Sequence, residues 1–254
     1  VSILGAKNIV AVSHAMKGHL VERFSIDVNK VSVTPCLASN STLINNIGDW
    51  QILREKNRLT LGVSDVTTVL GYIGGLGTYQ MVEEMLDFFK AYNKINNDSI
   101  FLLVVIGDSK QLMDMVTDKN MVEVVQIYTD IHHKEVGSYL CAMDFGLLFR
   151  KTDPVNFYAS PTKFGEYLSC GVSMLVTLNI GDLKHYVQRN SLGIGISDDL
   201  KVDLELILKM EKIMYSRRKV AENNIDWIAS EYTWAPTSIE FRGNYNVKKI
   251  DNYD

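Results

Sequence analysis

The stretch "SPTKFGEYLSCGVSMLVT" (residues 160–177) reads as a helix, a stop and a strand. Ser160 carries the hydroxyl of an N-cap. Pro161 suits the first helical position, where its missing N–H has no intrahelical partner to lose, and Gly171 closes the helix. Phe164, Tyr167 and Leu168 recur at the three- and four-residue steps that turn one side of a helix to a core, while Thr162, Lys163 and Glu166 share the other side. "SMLVT" is then a short apolar run of buried-strand size. A helix passing through glycine into a buried strand is one unit of a parallel α/β sheet.

The same alternation continues in both directions. Strand-sized apolar runs recur in "TTVLGYIG" (67–74), "IFLLVVIGD" (100–108), "VEVVQIYTD" (122–130), "FGLLF" (145–149) and "GIGIS" (193–197), with helical segments between them. The first of these segments places Val82, Met85, Leu86 and Phe89 on one amphipathic stripe. The expected class is therefore α/β, a doubly wound parallel sheet, which binds ligands in the loops beyond the carboxyl ends of its strands. Upstream, "NIVAVS" (8–13) and "KVSVTP" (30–35) read as strands flanking a helix, "HAMKGHLVERF" (14–24); Pro35 ends the second strand. Residues 37–49 are rich in Ser and Asn without periodicity, and the charged helix "DWQILREKNRLTLG" (49–62) ends at Gly62, a natural C-cap. The expected organisation is a remnant of an N-terminal unit over residues 1–37, a linker over 38–64, a nucleotide-binding unit over 65–232, and a crossover helix and tail over 233–254, including Trp234. The chain opens as if part-way through a fold, which reads as a shortened or split polypeptide.

Composition narrows the function. The 254 residues are 46% hydrophobic and 22% charged, ordinary for a globular protein, and the net charge of −4 argues against a nucleic-acid partner. Cys36, Cys141 and Cys170 have no paired spacing, which fits reduced thiols in a cytoplasmic protein and leaves no zinc site or disulfide framework. No apolar run approaches the ~20 residues of a membrane span. His132 and His133 are adjacent, so their side chains diverge, and no metal is expected there.

Two constellations carry chemistry. "GYIGGLGTYQ" (71–80) lies at a strand-to-helix turn, where Gly74, Gly75 and Gly77 let backbone N–H groups approach a phosphate. The spacing departs from the dinucleotide fingerprint, and no acidic residue follows at the place of a ribose contact, so a dehydrogenase is disfavoured. The second is the helix start after "RKTDPVNFYA" (150–159). Its N–H groups and Lys163 suit an anion, and Glu166 suits sugar hydroxyls; the plain alternative is a surface Lys–Glu pair.

"SPTKFGEYLSCGVSMLVT" resembles the donor-site helix of retaining GT-B glycosyltransferases (group 1, family 4-like), with its Pro-x-Lys-x-x-Glu-Tyr-Leu-x-x-Gly pattern. Residues 8–35 resemble the last elements of that family's N-terminal domain, and "LREKNRLTLGVSD", "FLLVVIGD" and "HHKEVGSYLCAMDFGLL" resemble successive parts of its C-terminal, donor-binding domain. The resemblance implies that Glu166 holds the nucleotide ribose and that Ser160, Pro161, Thr162 and Lys163 face the diphosphate and sugar. It places Gly74, Gly75 and Gly77 near the donor phosphate and Thr129, Asp130 and Ile131 at the nucleobase. Three departures stand out. Tyr158 occupies the place of the first of two glutamates, Gly75 and Gln80 occupy places of an arginine and a lysine, and most of the N-terminal acceptor domain is absent. Arg150 and Lys151, at the end of another strand, are the candidates to supply the lost charge, and Arg150, Lys163 and Glu166 are the catalytic candidates. The implied activity is transfer of a hexosyl group from a nucleoside diphosphate sugar to a saccharide or lipid-linked acceptor with retention, without cofactor or metal. It is expected in the cytoplasm, in peripheral contact with the inner membrane face through the absent domain. The rivals are a nucleotide-sugar epimerase on the same scaffold and a non-catalytic nucleotide-binding subunit that needs a partner.

Overall fold

The computed structural model describes residues 3–38, 42–107 and 109–233. The helix expected around Trp234 and the tail beyond it lie outside them.

A six-stranded parallel sheet forms the centre: β3 (Thr68–Gly75), β4 (Ser99–Ile106), β5 (Val125–Thr129), β6 (Phe145–Leu148), β7 (Ser173–Thr177) and β8 (Gly193–Ile196). Their spatial order is β5-β4-β3-β6-β7-β8. The chain starts in the middle of the sheet, winds out to one edge, returns to the middle at β6 and winds out to the other. The reversal leaves a crevice between the carboxyl ends of β3 and β6, the place where such sheets bind ligands.

Both faces are covered, which is why the strands read as continuous apolar runs instead of alternating ones. On one face Leu70, Tyr72, Leu103, Val105 and Leu147 pack against α3 (Val82–Asn93), α4 (Lys110–Asp118) and α9 (Leu204–Tyr215). The stripe Val82, Met85, Leu86 and Phe89 is buried as its spacing requires. On the other face Val69, Ile73, Leu102, Val104 and Met174 pack against α5 (Val136–Ala142), α7 (Thr162–Ser169), α8 (Leu183–Asn190) and α10 (Arg217–Glu231).

The helix α2 (Ile47–Thr60), preceding this sheet, buries Trp50, Arg54 and Arg58, one charged-looking face spaced by four. Arg54 and Arg58 both reach the carboxylate of Asp144, at 2.6 and 3.3 Å, and that carboxylate also accepts the Val69 N–H at 2.8 Å. Arg54 further donates to the carbonyl of Met143 and Arg58 to that of Ala142. The segment read as a linker is thus stapled to the amino ends of β3 and β6. Gly62, at φ +66°, terminates it as expected.

The first residues form a small unit, in which β1 (Ile9–Ala11) and β2 (Val31–Val33) pair in parallel and α1 (His14–Phe24) crosses between them. Asp182 accepts the first N–H groups of α1, from His14 at 2.7 Å and Ala15 at 3.2 Å. The Ser13 hydroxyl donates to the Tyr158 carbonyl at 2.9 Å. Among the described residues no helix is long and apolar enough to cross a membrane.

Candidate functional site

A cavity of about 630 Å³ opens at the carboxyl ends of β3 and β6, where the sheet order reverses. Its walls are the turn after β3 (Thr78, Tyr79, Gln80), the segment after β6 (from Arg150 to Ser160) and the start of α7.

Two cations meet there. Arg150 stands two residues beyond β6 and is only 7% exposed. Its N–H donates to the Thr177 hydroxyl at the end of β7, and its guanidinium donates to the Phe149 carbonyl at 3.1 Å. Lys163 enters from the second residue of α7. Tyr167, one turn on, fixes that helix: its ring fills the space left by Gly146, where a Cβ would lie 2.8 Å from the ring, and its hydroxyl accepts the Ile73 N–H at 3.1 Å. Lys163 is consequently anchored to both strands that define the crevice.

Among the described residues no carboxylate lies within ion-pairing distance of Arg150 or Lys163. Each is instead braced by a ring, Arg150 at 5.5 Å from the centroid of Tyr79 and Lys163 at 5.5 Å from that of Tyr72. A ring face attracts a cation without neutralising it. Burial, then repulsion from Arg150, brings the Lys163 ammonium down to about 8, against a partial offset from Glu166. Burial also lowers Arg150, although a guanidinium stays charged. Two desolvated positive groups, offset only by Glu166 beyond ion-pairing distance, make an environment suited to an anion.

The helix start adds to it. No side chain caps α7, and its first turn holds no acidic residue, so the N–H groups with no intrahelical partner contribute positive potential to the cavity. Here the structure corrects the sequence reading. Ser160 is not the N-cap: the helix begins one residue later, after Pro161, and the Ser160 hydroxyl accepts the Cys36 N–H at 2.9 Å. The competing partner, backbone from the N-terminal unit, was invisible in a local pattern. Ser160 still lines the cavity, as do Pro161 and Thr162.

The other expected residues are placed unequally. Gly74 adopts φ +148°, and a Cβ there would overlap the Lys163 side chain, at 2.6 Å from Nζ; this glycine makes room for the cation. Gly75 and Gly77 lie just beyond, outside the cavity lining, and Gly75 has open space around it. Glu166 sits one turn deeper on α7 and does not line the cavity; burial raises its carboxyl above the ordinary range, and Lys163 opposes that. Thr129 ends β5, and Asp130 and Ile131 follow it, two strands away from β3 at the sheet edge, with Asp130 at φ +56°. The structure does not bring them into the cavity. His132 accepts the Lys134 N–H and turns the chain, and among the described residues no three metal-ligating side chains converge.

Sequence reasoning did not single out Tyr79, Thr78 or Asn156 as cavity residues. Tyr79 follows the glycine loop and could be found only by knowing that Arg150 lies opposite. Asn156 lies in the four-residue helix α6 (Pro154–Phe157), where its side chain donates to the Lys151 carbonyl and shapes the wall.

No protein-family model matches the chain, and no curated protein does. Its fold is similar to solved structures. One is WaaG, a glycosyltransferase involved in lipopolysaccharide biosynthesis, with TM-score 0.72 and 13% identity, covering 94% of this chain and 62% of that one. Sucrose-phosphate synthase from Thermosynechococcus elongatus matches with TM-score 0.72 and 16% identity over 96% of this chain and 59% of its own. HepE of Anabaena, in complex with UDP-glucose, matches with TM-score 0.71 and 15% identity over 95% and 64%. The chain therefore spans roughly three fifths of the length of the structures it resembles. At these identities the likeness concerns the fold, and the fold is the Rossmann-like one of GT-B glycosyltransferases.

Proposed function

We propose that the chain is the donor-binding part of a glycosyltransferase that moves a hexosyl group from a nucleoside diphosphate sugar to a saccharide or lipid-linked acceptor, with retention of configuration. The observation that carries this reading is the meeting of Arg150, Lys163 and the uncapped start of α7 in one cavity at the switch point of the sheet. The fold likeness to HepE, solved with UDP-glucose and with UDP, supports it.

In this reading the diphosphate lies against Arg150 and Lys163, and Glu166 grips the ribose one turn deeper. Thr129, Asp130 and Ile131 hold the base at the sheet edge. As the bond to the sugar breaks, negative charge grows on the leaving diphosphate. Groups fixed in advance and partly shielded from water stabilise that charge without reorganising, and losing one contact of this kind typically raises the barrier by about 3 kcal/mol. The protein's own cations offset the charge, so the reading calls for no divalent ion. It places the enzyme in the cytoplasm, where nucleotide sugars act as donors, with contact to the inner membrane face through a further domain.

A thermal-shift panel of nucleoside diphosphates and their sugars tests the binding half, since a ligand that binds only the folded state raises its stability. In the complete enzyme, Lys163→Ala or Glu166→Ala is expected to weaken donor use at least tenfold. Unchanged donor kinetics in both variants would remove the site assignment.

A second reading, a nucleotide-binding subunit active only with a partner, is favoured by the small N-terminal unit. That unit leaves Val10 of β1, Phe24 at the end of α1 and Val28 before β2 between 39% and 49% exposed. Product analysis with an acceptor, with and without a separately supplied N-terminal half, separates the two readings; an epimerase would turn over donor without any acceptor.

A further inference from the structure

Lys163 is an amine in a setting that favours acyl transfer to it. It lines the cavity and is half-buried, and among the described residues its Nζ is held by no carboxylate or carbonyl, only by the face of the Tyr72 ring. Lys151 lines the same cavity but is more exposed and lies 3.9 Å from Glu84. Lys209 and Lys219 are paired on the surface, with Glu205 at 2.6 Å and Glu222 at 2.8 Å. A lysine that is desolvated and set beside a second cation gives up its proton readily and becomes a nucleophile. Burial and Arg150 bring the Lys163 ammonium to about 8, against 10.5 for an ordinary lysine, so at pH 8 about half of it is free amine.

The same setting draws an anion to that amine. Three cations, Arg150, Lys151 and Lys163, line the cavity against one carboxylate, Asp153, and the uncapped start of α7 adds its N–H groups. Arg150 is 7% exposed and gives an N–H to the Phe149 carbonyl, but a guanidinium has further donors for an oxyanion. An anion that carries an electrophilic carbon next to its phosphate is therefore drawn to the one cavity lysine that is not ion-paired.

We infer that Lys163 is a modification site, acylated without a second enzyme by acyl phosphates, the mixed anhydrides of a carboxylic acid and phosphate. The Nζ lone pair attacks the acyl carbon, and the bond from that carbon to the phosphate oxygen breaks. Inorganic phosphate leaves with the electron pair, and the proton lost from nitrogen passes to solvent; nothing is oxidised or reduced. Arg150 and the α7 N–H groups offset the charge that grows on the leaving oxygen. The product is an uncharged amide, so the cavity loses a cation. The acylation needs only an anion site, whatever nucleotide the cavity takes.

The test is incubation of the full chain at pH 8 with acetyl phosphate, with acetylation of each lysine followed by peptide mass spectrometry. Lys163 is expected to react about tenfold faster than Lys151, Lys209 and Lys219. With N-acetoxysuccinimide, an acetyl donor that carries no charge, its lead is expected to shrink severalfold. Excess inorganic phosphate, a competitor for the anion site, is expected to slow Lys163 under acetyl phosphate and to leave the surface lysines unchanged. A Lys163 that reacts no faster than Lys151, or whose lead is equal with both reagents and insensitive to phosphate, overturns the inference. Calorimetry of the unmodified chain with UDP, GDP and ADP keeps this outcome apart from the donor-site reading. Selective acetylation in a chain that binds none of the three leaves the inference standing and removes that reading; unselective acetylation in a chain that binds one does the reverse.

Discussion

At the scale of single residues the proposed function turns on Lys163, and its environment sets two opposed expectations. Its ammonium titrates at about 8, below the ordinary 10.5, because it is buried and faces Arg150. Under the proposed function the charged form holds a diphosphate, so affinity is expected to be full below pH 8 and to fall as pH rises through it. Stability runs the other way. Between about pH 8 and 10.5 the unfolded chain binds the proton and the folded chain does not, so stability rises with pH across that window. Lys163→Met is accordingly expected to melt at a higher temperature than the wild type at pH 7 while losing at least tenfold in diphosphate affinity. A variant that melts lower, or binds equally well, contradicts the account of a cation held for function. Gly74 provides a second check. Gly74→Ala forces a Cβ onto the lysine in a backbone conformation that L residues avoid, whereas Gly75→Ala meets open space. Diphosphate affinity measured by calorimetry is expected to drop severalfold in the first and to stay within twofold in the second. In the sequence the two glycines looked alike; only the path of the Lys163 side chain across the sheet distinguishes them.

The elements were legible wherever their signal was periodic and local. All six strands of the central sheet and the helix over residues 14–24 lie where the apolar runs and the glycine stops placed them. Two features escaped because their causes are long-range. The start of α7 moved by one residue because the Ser160 hydroxyl bonds to Cys36, 124 positions away. The helix α2 reads in the sequence as a charged helix within a linker; its burial escaped because the buried face is made of Trp50 and two arginines, Arg54 and Arg58, that no hydrophobic pattern counts. They are buried because Asp144, nearly inaccessible, sits between them and carries a charge that needs partners. Removing one member of such a buried group strands the others, at a typical cost of about 3 kcal/mol or more. Asp144→Ala is therefore expected to lower the urea midpoint of unfolding by that equivalent, without altering the dependence on denaturant. A loss under about 1 kcal/mol would mean that α2 is held by its apolar contacts alone.

For the whole molecule, the strand order explains why residues from distant parts of the chain meet. Reversal at β3 and β6 opens a crevice, and the segments after those strands, together with α7, deliver the cations to it. That convergence could be expected from the alternation of strands and helices, but which side chains face the cavity depends on packing between the two halves of the sheet. The small N-terminal unit joins this body through polar contacts, chiefly Asp182 at the start of α1 and Ser13 at Tyr158. Asp182→Ala is expected to speed amide hydrogen exchange in α1 while the central strands keep their protection; equal loosening of both would mean that the two parts unfold as one. The account as a whole depends on an anion occupying the cavity between Arg150 and α7. The most direct measurement is a crystal structure grown with whichever of UDP, GDP, ADP and dTDP raises the melting temperature most. The account predicts the diphosphate within hydrogen-bonding distance of Lys163 Nζ, the Arg150 guanidinium and the first N–H groups of α7. A nucleotide bound elsewhere on the molecule, or no stabilisation by any of the four, contradicts it.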